Sequence, residues 1–271
     1  MEIIDYQRKY EAVYKEIVFK LNEEDEMIKI DEETDEKLFE LNYKNGELEI
    51  EYEKLEENTI IEKIETIFSK IGFSLDEKQD IDKVLNLELI RMKWQKIKMG
   101  LFKENLLPDE LEILYEFGAL LENENNIIDI LKGYYLYKYL FMGIYELSPS
   151  KLIINKKKEM KDLILGDVEF DIKMEYLEDE DEDEEKIILI GESVMERSYA
   201  GRDKHLIERG YLTSKDNGRL KYVLNGEYLL NEDKSIRNGK VDVTVTFHKI
   251  EMGWEGKVLL EVKHIFEIKE V

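Results

Sequence analysis

Val168-Glu169-Phe170-Asp171-Ile172-Lys173-Met174-Glu175-Tyr176 alternates apolar and charged residues without a break. A period of two sends successive side chains to opposite faces, so this stretch reads as a strand with one buried face and one wet face. Downstream, Ile187 to Ile190 gives a second, more fully buried strand. Val241, Val243, Val245 and Phe247 alternate with Asp242, Thr244, Thr246 and His248, and Val258, Leu260, Val262, Phe266 and Ile268 mark a last strand. Between them, Lys204 to Tyr211 reads as a short helix and Arg219 to Leu230 as a hairpin around Asn225-Gly226. Pro149 stands where the hydrophobic period changes from about 3.6 to about 2, which predicts a domain border there.

Upstream of Pro149 the pattern is different. Tyr6, Tyr10, Val13, Tyr14, Ile17, Val18 and Leu21 recur at steps of three and four, which predicts a helix over residues 3–21. Phe39, Leu41 and Tyr43, then Leu48, Ile50 and Tyr52, alternate on either side of Asn45-Gly46. That pair suits a type I′ turn, whose central residues both need positive φ. A two-residue turn sets Tyr43 opposite Leu48, Leu41 opposite Ile50 and Phe39 opposite Tyr52, all on one face.

Thr59 with Glu62 forms a capping-box pair and predicts a helix through Ile71, stopped by Gly72. Ser74 with Glu77 repeats the pattern and predicts a long helix to about Lys103, and Pro108 opens another that ends near Leu121. Ile127 to Leu147 reads as a buried Tyr-rich helix, because Asp129, Lys132, Lys138 and Glu146 break any run near the ~20 apolar residues of a membrane span. The expected fold class is α+β. Residues 1–148 form an N-terminal helical array with a β-hairpin at 37–54, and residues 149–271 form a C-terminal antiparallel β-sheet region with an acidic loop at 178–185.

The chain has 271 residues with 40 Lys or Arg and 64 Asp or Glu, a formal charge of −24. That sign repels nucleic-acid backbones and anionic membranes, so neither is an expected direct partner. Hydrophobic residues at 43% support a packed core despite the 38% that are charged. The absence of cysteine excludes disulfides, thiolate metal sites and cysteine nucleophiles. Met1-Glu2-Ile3-Ile4-Asp5 offers neither a basic n-region nor an apolar h-region, which predicts a cytoplasmic location. No Gly-rich phosphate loop, dinucleotide fingerprint or metalloprotease helix motif occurs, and the histidines, His205, His248 and His264, are too few and too spread for a zinc site. No cofactor or metal is expected.

The acidic run Glu178, Asp179, Glu180, Asp181, Glu182, Asp183, Glu184 and Glu185 places eight carboxylates in succession between two strands. Adjacent like charges cannot pack or neutralise one another, so the run reads as an extended, solvated loop and a candidate contact for a basic protein. Arg91, Lys93, Lys96, Lys98 and Lys103, with Trp94 among them, form the one extended basic patch. On a helix these five point in several directions, and cations near a helix C-terminus complement its dipole without any ligand. The tyrosines Tyr134, Tyr135, Tyr137, Tyr139 and Tyr145 occupy every side of their helix, so their rings serve a core, domain or partner contact.

Asp242 on a hydrophobic strand, followed by Glu261-Val262-Lys263, resembles the Asp…Glu-x-Lys signature of the PD-(D/E)XK nuclease superfamily. The resemblance implies Asp242 and Glu261 as ligands of a divalent metal and Lys263 as the group that orients water. His205 to Tyr211 is similar to a helix that precedes the signature in some members. Three readings of function follow. The leading one is an acidic cytoplasmic binding module, of immunity or inhibitor type, that occludes a basic, nucleic-acid-binding surface of a protein partner through residues 178–185, with no catalytic residues. A metal-dependent nuclease using Asp242, Glu261 and Lys263 is the second, and a structural subunit of a larger assembly the third.

Overall fold

Tyr6, Tyr10, Tyr14 and Val18 lie four residues apart, and four is a multiple of the strand period of two as well as about one turn of helix. In the computed structural model these residues share one face of a strand, β1 (Tyr6–Leu21), with Ala12 buried between them. The helix expected over residues 3–21 is therefore corrected. Its three tyrosines and three β-branched residues, Val13, Ile17 and Val18, favour a pleated surface, and the four-residue step did not discriminate the two periods. The structure describes residues 5–53, 55, 59–76, 80–104, 106–144, 152–161, 163, 167–179, 184–197, 210–213, 218–251 and 254–271.

The other strands are β2 (Met27–Lys44), β3 (Glu47–Tyr52), β4 (Lys70–Leu75), β5 (Ile81–Val84), β6 (Ile153–Met160), β7 (Val168–Asp179), β8 (Glu184–Arg197), β9 (Gly218–Leu230), β10 (Ile236–Glu251) and β11 (Trp254–Glu270). They form one antiparallel sheet in the order β5-β4-β3-β2-β1-β11-β10-β9-β8-β7-β6. The first strand pairs with the last, Tyr14 opposite Phe266, so the N-terminal and C-terminal parts share a sheet. The expected N-terminal helical array is replaced by five strands and an insertion of five helices, α1 (Ile60–Glu65), α2 (Leu87–Leu101), α3 (Pro108–Leu120), α4 (Glu124–Gly133) and α5 (Tyr135–Leu140). The proposed border at Pro149 lies outside the described residues.

The β2–β3 hairpin has the expected register, Tyr43 opposite Leu48, Leu41 opposite Ile50 and Phe39 opposite Tyr52, with φ of 53° at Asn45 and 84° at Gly46. The same dipeptide at 225–226 makes no turn: β9 runs straight through it. A Cβ on Gly226 would lie 2.9 Å from Leu189 and 3.2 Å from Val241, so this glycine serves close packing between strands. Thr59 and Glu62 form the expected capping box, yet α1 ends at Glu65 and a single 3₁₀ turn leads into β4, so that Ile71 and Phe73 are sheet core. Ser74 likewise sits in β4 rather than capping a long helix, while Pro108 opens α3 as expected. The Tyr-rich helix is broken at Tyr134, whose ψ of 134° turns the chain between α4 and α5.

Helix α5 explains the curvature of the sheet. Tyr139 stacks on Phe266 of β11 (5.3 Å between ring centres), Tyr137 meets Phe73 of β4 edge-on (5.8 Å), and the Tyr228 hydroxyl of β9 donates to the Tyr139 carbonyl. In a flat sheet β4 and β9, six places apart, would be separated by about 29 Å. One helix of roughly 10 Å diameter reaches both only because the sheet curls around it. The curl continues to the edges, where Lys158 of β6 forms an ion pair with Asp80, just before β5. Tyr135, Tyr137, Tyr139 and Phe141, the aromatic residues of α5 and its described C-terminal flank, thus fill the hollow of the sheet.

Candidate functional site

Pairing with β1 runs the length of β2, from Tyr6 opposite Tyr43 to Leu21 opposite Met27, whereas β3 pairs only with Phe39–Lys44. Glu53, just past β3, donates its N–H to the Leu38 carbonyl (2.9 Å), and there the two strands part. Met27–Leu38, twelve residues, therefore has β1 on one side and no strand on the other among the described residues. The β1–β2 limb is also the most acid-dense part of the described sheet. Residues 23–36 hold Glu23, Glu24, Asp25, Glu26, Asp31, Glu32, Glu33, Asp35 and Glu36 against one cation, Lys29. Lys257, Lys29 and Lys37 form ion pairs with Asp25 (2.5 Å), Glu32 (2.6 Å) and Asp35 (3.1 Å).

Strand alternation divides this limb. Glu32 and Glu36 point to the outer face, while Asp31, Glu33 and Asp35 share the inner face with Phe39 and Leu41, opposite Val18, Glu16 and Tyr14. On the inner side a cavity of about 240 Å³ is lined by Asp35, Lys37, Tyr52, Leu55, Glu65, Phe68 and Tyr134 to Tyr137. Tyr134 donates to Glu65 (3.3 Å), and burial pushes the Glu65 carboxyl above its ordinary range, partly countered by Lys37. Burial raises the phenols of Tyr134, Tyr135 and Tyr137 far above 10, so they stay neutral donors. Two carboxyl groups, the Lys37 ammonium that pairs with Asp35, and a wall of aromatic faces line this cavity.

The acidic run is not simply a loop. β7 continues through Asp179 and β8 starts at Glu184, so Glu178 lies opposite Glu185 and Asp179 opposite Glu184. Like charges directly across a ladder are unfavourable, and Lys234 from the β9–β10 turn relieves this by pairing with Glu185. Tyr176 adds a hydrogen bond to Glu178 (3.2 Å). Glu180, Asp181, Glu182 and Asp183 lie outside the described residues, as do His205 and Tyr145. The alternating strand directions put this hairpin at the end of the sheet opposite the β1–β2 turn.

Asp242, Glu261 and Lys263 share the outer face of β10 and β11, but the register separates the two carboxylates. Glu261 is opposite Thr246, four residues along β10 from Asp242, a distance of roughly 13 Å. Lys263 pairs with Glu261 (3.1 Å) and lies 5.0 Å over the Phe19 ring. Among the described residues no group of three His, Asp or Glu side chains is placed to hold a metal ion. The basic patch serves helix packing: Arg91 donates to the carbonyl of Glu122 (2.9 Å) beyond α3, Lys93 bonds Ser69 (2.8 Å), and Lys98 lies about 6 Å from the rings of Trp94, Phe102 and Tyr115.

His264 sits on the inner face, 2% exposed, with Nδ1 2.6 Å from the Tyr14 hydroxyl and Nε2 buried without a hydrogen-bond partner. Burial, reinforced by the charge of Lys138, lowers its pKa to about 3. Between that value and the ordinary 6.5 the unfolded chain takes up a proton that the folded chain refuses. This contribution to stability is present in full above about pH 6.5 and is lost as pH falls toward 3, by at most about 1.4 kcal/mol per pH unit. Urea unfolding of the wild type and His264→Gln between pH 7 and pH 4 should show the difference between them changing with that sign. A pH-independent difference would mean His264 is not held neutral.

No family model and no curated protein matches this chain. Among solved structures, one described as lipid–protein interactions in lipovitellin is similar at 9% identity with a TM-score of 0.49. The match covers 100% of this chain and 25% of that one, so the chain spans about a quarter of the lipovitellin chain it matches. No described helix is long and apolar enough to cross a membrane.

The limb was not singled out from sequence, and of the inner cavity only the tyrosines Tyr134, Tyr135 and Tyr137 were. A signal existed for the limb: nine acids within fourteen residues, flanking Ile28 and Ile30. For the cavity the signal was the tyrosine cluster alone, because Asp35 and Glu65 join Tyr135 only through the curl of the sheet.

Proposed function

We propose that this chain is an acidic binding module for a basic protein, of the kind that inhibits or shields a cationic surface. The observation that carries this reading is the β1–β2 limb, where residues 23–36 hold nine carboxylates, four in the turn and five on β2, against the ion-paired Lys29, Lys37 and Lys257, on a strand whose far edge has no second strand among the described residues. A dense local surplus matters more than net charge, because beyond about 8 Å at physiological salt isolated charges are screened. Carboxylates displayed on one limb act together at that range and steer a cationic partner into contact. The acidic hairpin at Glu178, Asp179, Glu184 and Glu185 lies at the other end of the sheet and offers a second, smaller anionic contact, part of which Lys234 neutralises.

Capture from host lysate with the tagged full chain tests this reading. The expected partners are basic proteins that elute as salt is raised, and their recovery should fall when Glu23, Glu24, Glu32 and Glu36 are replaced by Gln. Recovery of neutral or acidic partners, indifferent to salt, would overturn it.

A further inference from the structure

We propose that the basic partner binds by strand addition, a Lys- or Arg-rich extended segment pairing with the open edge of β2 along Met27–Leu38; this rests on the reading that the module recognises a basic protein. Sheet edges present a row of backbone donors and acceptors, and most proteins keep them short, bulged or covered. This edge is twelve residues, roughly 40 Å, with a single bulge at Ile30 and an unbroken run from Asp31 to Leu38, whose carbonyl accepts from Glu53, and its side chains are largely exposed, Ile28 at 45% and Leu38 at 46% included. Affinity in strand addition comes from main-chain hydrogen bonds, and specificity from alternate side chains.

The side chains of β2 say which kind of strand fits. On the outer face Glu32 and Glu36 follow Lys29, whereas Ile28, opposite Lys20 and beyond the bulge at Ile30, returns to the inner face, so an added strand with cations beside the two glutamates is complementary. On the inner face an incoming side chain opposite Asp35 enters the cavity formed by Asp35, Lys37, Glu65, Tyr134 and Tyr135, where a Lys or Arg head meets aromatic faces and two carboxyl groups and must share Asp35 with Lys37. A second copy of this chain is the alternative occupant, and charge decides against it. Pairing β2 with itself would bring the Asp31–Glu36 segments of two chains together, and like charges across a ladder are destabilising.

The test uses the full chain and a labelled ten-residue peptide of alternating Lys and Val. Two further versions carry N-methyl groups on alternate residues, one set blocking each edge of the peptide. The unmethylated peptide should bind at low salt and slow amide hydrogen exchange within Met27–Leu38 at least tenfold. One methylated version should lose at least tenfold in affinity and the other should not, since only one peptide edge pairs. Equal binding of all three without protection of β2 would overturn strand addition while leaving acidic recognition standing. Failure of every peptide to bind would also overturn strand addition, and the capture experiment would then decide the broader reading by itself.

Discussion

Replacing Glu32 and Glu36 by lysine is expected to weaken binding of the basic partner at least about fivefold while leaving the fold intact. Both side chains lie on the outer, solvent-facing side of β2, and Glu36 is exposed there, so neither supports the core. An exposed ion pair contributes roughly 0.2–1 kcal/mol, and reversal turns two such attractions into repulsions of similar size. The swing is therefore roughly 1–4 kcal/mol, and 1.4 kcal/mol is a factor of ten in affinity. Lys29, which pairs with Glu32, becomes free to repel a cationic partner as well. The loss should shrink at about 1 M salt, where charges are screened within about 3 Å. Titration calorimetry at low and high salt reads both numbers, and unchanged affinity at low salt would remove the limb from the interface.

Phe266→Ala is expected to destabilise the fold by about 3–5 kcal/mol, the usual cost of emptying a buried phenylalanine site. The ring is fully buried, stacks on Tyr139 of α5, and lies 6.1 Å from the Tyr135 ring. Removing it takes away the seat on which α5 rests against β11 and leaves a cavity beside Tyr139, whose backbone carbonyl accepts from the Tyr228 hydroxyl. Since single domains are stable by only about 5–15 kcal/mol, the urea midpoint should drop sharply, whereas the exposed Lys269→Ala should stay within about 0.5 kcal/mol of wild type. A Phe266→Ala cost under about 1 kcal/mol would mean that α5 does not occupy the hollow of the sheet.

What could be read from the residues, and what could not, follows from the range of the interactions. The β2–β3 hairpin was legible to the residue because its turn is local: Asn45 and Gly46 alone set the register. Strands β7, β10 and β11 were legible because one face is buried and the other wet. β1 was not, since tyrosines at every fourth position satisfy both periods and only the pairing with β2 and β11 selects one. Asn225-Gly226 misled for a related reason. Glycine meets two different needs, positive φ in a turn and close approach within a sheet, and the neighbours Leu189 and Val241 that reveal the second are distant in sequence.

The same distinction applies to the candidate sites. The eight consecutive carboxylates at 178–185 were conspicuous in the chain, yet the described part of them continues a ladder and is partly neutralised by Lys234. The nuclease-like residues Asp242 and Glu261 stood close in pattern, but the antiparallel register holds them about four residues apart along the strand. The acidic limb gained its meaning from topology, because β3 stops at Tyr52 and leaves twelve residues of β2 without a second strand among the described residues.

The most direct measurement compares two variants of equal charge. In one, Glu23, Glu24, Glu32 and Glu36 become Gln; in the other, Glu112, Glu116, Asp171 and Glu192, exposed acids scattered over α3, β7 and β8, become Gln or Asn. Binding of a labelled basic peptide is then followed for both at low salt. The limb variant should lose at least tenfold more affinity than the scattered variant, and equal losses in the two would show that total charge, not the limb, is what the partner meets.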